Sequence, residues 1–178
     1  MPLNSPSTQA RLTFAAWALL AEALHLAWEA LHGGIASHHL LQRADLPAFS
    51  NAWGLLLLPM LGAWAGGRWP GPGSAASERR RVARALALGL AVPLLLGLAL
   101  SLSFRWEMHE ATELIFFSLP ALALLLPAQR PECLLGFVLG MNWAFGAVLP
   151  TLIGGVILAL SWLVRRLAGW AWRTARPA

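Results

Sequence analysis

The chain reads as an all-α integral membrane protein: a six-transmembrane-helix bundle in one domain over residues 1–178, with both termini cytoplasmic and the last two helices short. Three observations predict this. The chain is 58% hydrophobic and 12% charged, with mean hydropathy +0.61, where soluble domains carry about 25% charged residues. Its apolar runs recur at lengths that suit a bilayer. All thirteen basic residues are arginine, and six spans put eleven of them on one side, leaving only Arg43 and Arg105 on the other. An excess of arginine marks the cytoplasmic side.

The elements follow in order. A polar lead with Ser7 or Thr8 as a helix cap precedes a first span over 11–32, which Gly33-Gly34 stops. Glu22 and His25 interrupt its apolar run, and this predicts a retained helix rather than a cleaved leader. A loop carrying His38, His39, Arg43 and Asp45 leads to a second span, 52–66, with Ser50 or Asn51 as its cap. A Gly/Pro/Ser-rich linker over 67–80 follows. Further spans are predicted over 83–104 and 110–127, the latter opened by a polar knot from Arg105 to Glu113. The last apolar region is too long for one straight span. The Gly146-Ala-Val-Leu-Pro150 stretch divides it into two short helices, 133–148 and 151–166.

Composition excludes several classes. A single cysteine, Cys133, precludes an intramolecular disulfide and any thiolate cluster. Phosphate loops, dinucleotide fingerprints, serine-nucleophile elbows and zincin helices are absent. Nucleic acid is not an expected partner, because the arginines sit where topology needs them. The expected partners are membrane lipids and, for an assembly role, a second copy or a larger membrane complex. The expected location is the cell membrane, as a multi-pass protein.

The chemistry concentrates on one stripe. At about 100° per residue, Glu22, His25, Glu29 and His32 fall within about 80° of one helical face. A charge in hydrocarbon costs roughly 2.5 kcal/mol or more, so such a stripe needs a protein or water-lined surface opposite it. Six-span topology gathers all five histidines, with Glu29, Asp45, Glu107, Glu110 and Glu113, at the non-cytoplasmic pole.

The leading expectation is a site for a divalent transition metal, zinc, iron or manganese, whose donor preferences include imidazole and carboxylate. Its expected ligands are Glu29, His32, His38, His39, His109, Glu110 and Glu113, with Glu29 and Glu110 also as catalytic carboxylates. Glu22, His25 and Asp45 are expected to relay protons or orient the ligands. Glu29-x-x-His32 has the spacing that di-iron bundles use, though a second copy is missing. The alternatives are a proton-coupled or divalent-metal transporter using the stripe, and a metal-free acid/base enzyme acting on a lipid. Singly, each residue has an ordinary structural role: a packed pair for Glu22 and His25, a solvated loop for His38 and His39, a helix start for Glu107 and His109. Asn142 fits an interhelical hydrogen bond.

Overall fold

The computed structural model describes residues 6–39, 43, 45–71, 73–125 and 128–174. The expected chain ends, with Arg176, and the last two residues of the fourth predicted span lie outside them. The protein is 81% helical, as its composition predicts. Six helices carry the fold: α1 (Pro6–Leu31), α2 (Gly54–Gly66), α3 (Ala76–Arg105), α4 (His109–Leu125), α5 (Pro131–Phe145) and α6 (Val148–Thr174).

Small residues set the packing. α1 and α2 run antiparallel, so close that a Cβ at Gly62 or Gly66 would lie 2.6 Å from the backbone oxygen of Phe14 or Ala10. α3 and α5 run parallel and equally close: Gly136-x-x-x-Gly140 lies against the carbonyls of Leu90 and Leu94. The Ser101 hydroxyl adds a 3.0 Å bond to the Gly140 carbonyl. In hydrocarbon, where apolar burial alone drives little association, such close approach is a principal source of helix affinity. α4 packs on α3 and α6, and Ser161 of α6 donates to the Ala123 carbonyl of α4 at 2.7 Å.

These contacts define two poles. The end of α1, the α3–α4 turn and the α5–α6 turn share the histidine pole. There Phe104 meets Phe145, with ring centroids 4.7 Å apart. The start of α1, the end of α2 and the start of α5 share the arginine pole, where Arg68 meets Glu132. Between them lies a dry core that includes Ala18, Leu58, Leu61, Ala65, Leu135 and Val138.

Three helices are long and apolar enough to cross a membrane: Ser7–Leu31, Ala76–Arg105 and Val148–Thr174. α2, α4 and α5 have 13, 17 and 15 residues. They are therefore about 20, 26 and 22 Å long, short of a ~30 Å hydrocarbon core.

Several boundaries differ from the sequence reading. α3 begins at Ala76 rather than 83, so Arg79, Arg80, Arg81 and Arg84 lie on a helix and not in a linker. Glu78 in the first turn favours that start. α6 is not short: it runs 27 residues, past 166 to Thr174, because its one proline, Pro150, falls in the first turn, where no intrahelical N–H bond is lost. The first loop holds an unforeseen antiparallel hairpin, β1 (Ser37–His39) and β2 (Ala48–Ser50), with His38 opposite Phe49. Ser50 does cap, but it caps a 3-10 turn (Asn51–Trp53), accepting from the Ala52 N–H at 3.2 Å.

Candidate functional site: a buried carboxylate and imidazole chain

Helical spacing carries three of the four stripe residues inward. Glu22 is 0% exposed and Glu29 8%, because α1 lays that face on α2 and the hairpin. His25 stands between them. Its Nδ1 is 3.5 Å from Glu22 Oε2, and its Nε2 is 3.5 Å from Glu29 Oε1. The result is a continuous acid–imidazole–acid series along α1.

Two asparagines hold it in place. Asn142 of α5 donates through Nδ2 to Glu22 Oε2 at 2.5 Å, and the same nitrogen lies 3.0 Å from His25 Nδ1. The predicted interhelical bond of Asn142 is thus made, and its partner is the deepest acid of the stripe. Asn51, 1% exposed, donates to Glu29 Oε1 at 2.6 Å. The second Glu29 oxygen accepts the Ala36 N–H at 3.2 Å, while the Asn51 N–H returns to the Ala36 carbonyl at 2.9 Å. Glu29 therefore ties the hairpin and the 3-10 turn onto the end of α1.

Space for Glu22 comes from a missing side chain. A Cβ on Gly54 would collide with Glu22 Oε1. That oxygen, Asn142 Oδ1, Asn51 Oδ1 and the Nε2 atoms of His25 and His38 are buried and have no hydrogen-bond partner among the described residues. Buried polar atoms are usually paired. Several unpaired atoms in one network leave room for a second hydrogen-bond arrangement. His38, at the hairpin, lies within electrostatic reach of Glu29 and His25. Burial pushes its imidazole below the ordinary 6.5; Glu29 opposes that shift and His25 adds to it.

The remaining predicted ligands are elsewhere. His32 is exposed; it stacks on Trp28 with centroids 4.7 Å apart and places Nδ1 2.8 Å from the Trp28 carbonyl. His39 is exposed, with Nδ1 2.7 Å from the Leu46 carbonyl. Asp45 orients no imidazole: it grips Arg43 through bonds of 3.1 and 2.8 Å in solvent, and that guanidinium holds its carboxyl below the usual range. His109, Glu110 and Glu113 are exposed on α4, which packs on α3 and α6 rather than facing the stripe. Among the described residues, no group of three or more His, Cys, Asp or Glu side chains is placed to hold a metal ion. The physical reason is separation: His32 and His39 are exposed against backbone carbonyls and His109, Glu110 and Glu113 are exposed on α4, away from Glu29.

Sequence reasoning missed a second buried acid. Glu132, 0% exposed, pairs with Arg68 beyond the end of α2 and lies against Gly89 of α3. The sequence alone places Glu132 in a short turn over 129–132, after the fourth span. Pro131 before it, an N1 signal, and the small Gly89 were the available hints.

Comparison of the chain with family models, curated proteins and solved structures finds no match. The functional reading therefore rests on the geometry of this chain.

Proposed function

We propose that the protein is a six-span cell-membrane protein, both termini cytoplasmic, that works as a proton-coupled carrier through Glu22, His25 and Glu29. One observation carries the reading: a half-buried imidazole lies 3.5 Å from a buried carboxylate on each side, with no arginine among their hydrogen-bond and ion-pair partners in the described residues. An ionisable residue inside a membrane is costly and is a functional candidate for that reason. The alternating helix directions and the arginine-rich pole support the topology.

The proton steps follow from the donors. With Glu22 ionised, the Asn142 amide donates to its Oε2 and the imidazole proton sits on Nδ1 facing the same oxygen, which leaves the Nε2 lone pair open on the Glu29 side. A proton delivered from the histidine pole to Nε2 makes the imidazolium. Nδ1–H then passes its proton to Glu22 Oε2. Rotation of the Asn142 amide completes the change: Oδ1 accepts from the protonated Glu22, and the unpaired oxygen acquires a partner. Glu22 protonation and the Asn142 orientation are thus coupled, which gives the site two states. The dry core beyond Glu22 is the closed barrier that a carrier needs on one side of its site.

The test is proton flux in liposomes. Wild-type protein carries protons down an imposed gradient, and Glu22→Gln lowers the rate at least about tenfold, equivalent to ~1.4 kcal/mol on the barrier. Flux that survives the substitution removes the chain from the mechanism.

A second reading keeps a divalent transition metal, now on His25, His38 and Glu29 after the hairpin shifts. The buried, unpartnered Nε2 atoms of both histidines favour it. Metal analysis of the purified protein separates the two readings: stoichiometric zinc, iron or manganese that is lost in His38→Gln supports the second.

A further inference from the structure

Away from the stripe, α3, α4, α5 and α6 enclose a cavity of about 430 Å³, within the size range of ligand sites. Leu88, Val92, Leu96, Leu122, Phe137 and Ile157 supply its apolar walls, and Arg130 is the only charged residue that lines it. On α3 the lining runs from Ala85 to Leu96, about 17 Å along the helix axis. That is close to half of a ~30 Å hydrocarbon core, the depth of one leaflet. Arg130 stands at the arginine-pole end. It is half-buried, and among the described residues its guanidinium has no hydrogen-bond or ion-pair partner.

An apolar groove one leaflet deep, ending at a half-buried cation, matches an amphiphile with its anionic head at that end. We infer that this groove holds one acyl chain of an anionic phospholipid from the arginine-pole leaflet, with its phosphate on Arg130. Charge complementarity selects the occupant: a zwitterionic lipid carries its own cation and gains less from an arginine, while the uncompensated phosphate of an anionic lipid gains a charge-assisted bond. The site shares no residue with the acid–imidazole chain.

Native mass spectrometry tests it, on full-length protein released from nanodiscs of equal phosphatidylglycerol and phosphatidylcholine. Wild-type protein retains one phosphatidylglycerol per chain, in preference to phosphatidylcholine by about tenfold. Arg130→Gln removes the preference. Val92→Trp fills the groove and abolishes retention of both lipids; Leu88→Trp serves the same purpose should the first variant fold poorly. Both positions already face outward, at 42% and 65% exposure. The inference is overturned by wild-type protein that retains no lipid, a free fatty acid instead, or both phospholipids equally. Preference that persists in Arg130→Gln, or retention that persists in a folded tryptophan variant, also overturns it.

Discussion

Two acids in this protein are fully buried, and they are solved differently. Glu132 meets the guanidinium of Arg68, a cation that does not give up its proton. Glu22 meets an amide, an imidazole and the bare backbone of Gly54, all neutral or able to exchange a proton. The first arrangement sets opposite charges side by side and ties the end of α2 to α5. The second gives the acid partners that can take up or release a proton. The contrast teaches that burial alone does not mark a functional acid in a membrane bundle; the chemistry of the compensating partner does.

The comparison can be broken at its stronger end first. Arg68→Ala leaves Glu132 buried without its cation and is expected to destabilise the fold by about 3 kcal/mol, the low end for a broken buried pair, since Arg68 is 33% exposed. Glu132→Gln should cost more stability than Glu22→Gln, because only Glu132 has a guanidinium that the substitution would leave without its counter-charge. Equal losses in denaturant or thermal unfolding would erase the distinction.

A smaller effect probes the space around Glu22. Gly54→Ala puts a methyl group onto its carboxylate and should destabilise by about 1–3 kcal/mol, the usual range for overpacking. Glu22→Ala in the same chain should relieve most of that loss. A double-mutant cycle measures the coupling; additive losses would mean that the two residues do not share the space.

The smallest effect concerns the hairpin that covers the outer end of the chain. His38 is held below 6.5 by burial, so the unfolded or opened hairpin binds more protons than the closed one. Stability is therefore full above the ordinary histidine value and declines as pH falls from it toward the lowered folded value. Hydrogen exchange over 37–50 should show opening on acidification, and His38→Gln should flatten that dependence.

Much of the arrangement was legible beforehand. The stripe at 22, 25 and 29 followed from helical spacing, and the need to bury it opposite protein followed from its cost in lipid. Asn142 was recognisable as an interhelical donor because a lone amide in an apolar run needs a partner. His32 departs from the stripe because the stripe outruns its helix: residue 31 ends α1, and the His32 ring folds back onto Trp28, four residues earlier. The opposing wall was misplaced on α4, since sequence order does not say which helices touch; the glycines at 54, 62 and 66 on α2 did carry that information. Glu132 looked like a turn residue because Pro131 and Arg130 precede it. Only the pairing with Arg68, 64 positions away, shows that it is buried.

The most direct test of the contrast between the two acids is infrared difference spectroscopy of the reconstituted protein, following the protonated-carboxyl band as a proton gradient is imposed and reversed. The account predicts a buried-carboxyl change that disappears in Glu22→Gln and persists in Glu132→Gln. A signal unchanged by Glu22→Gln, or one lost with Glu132→Gln instead, would contradict it.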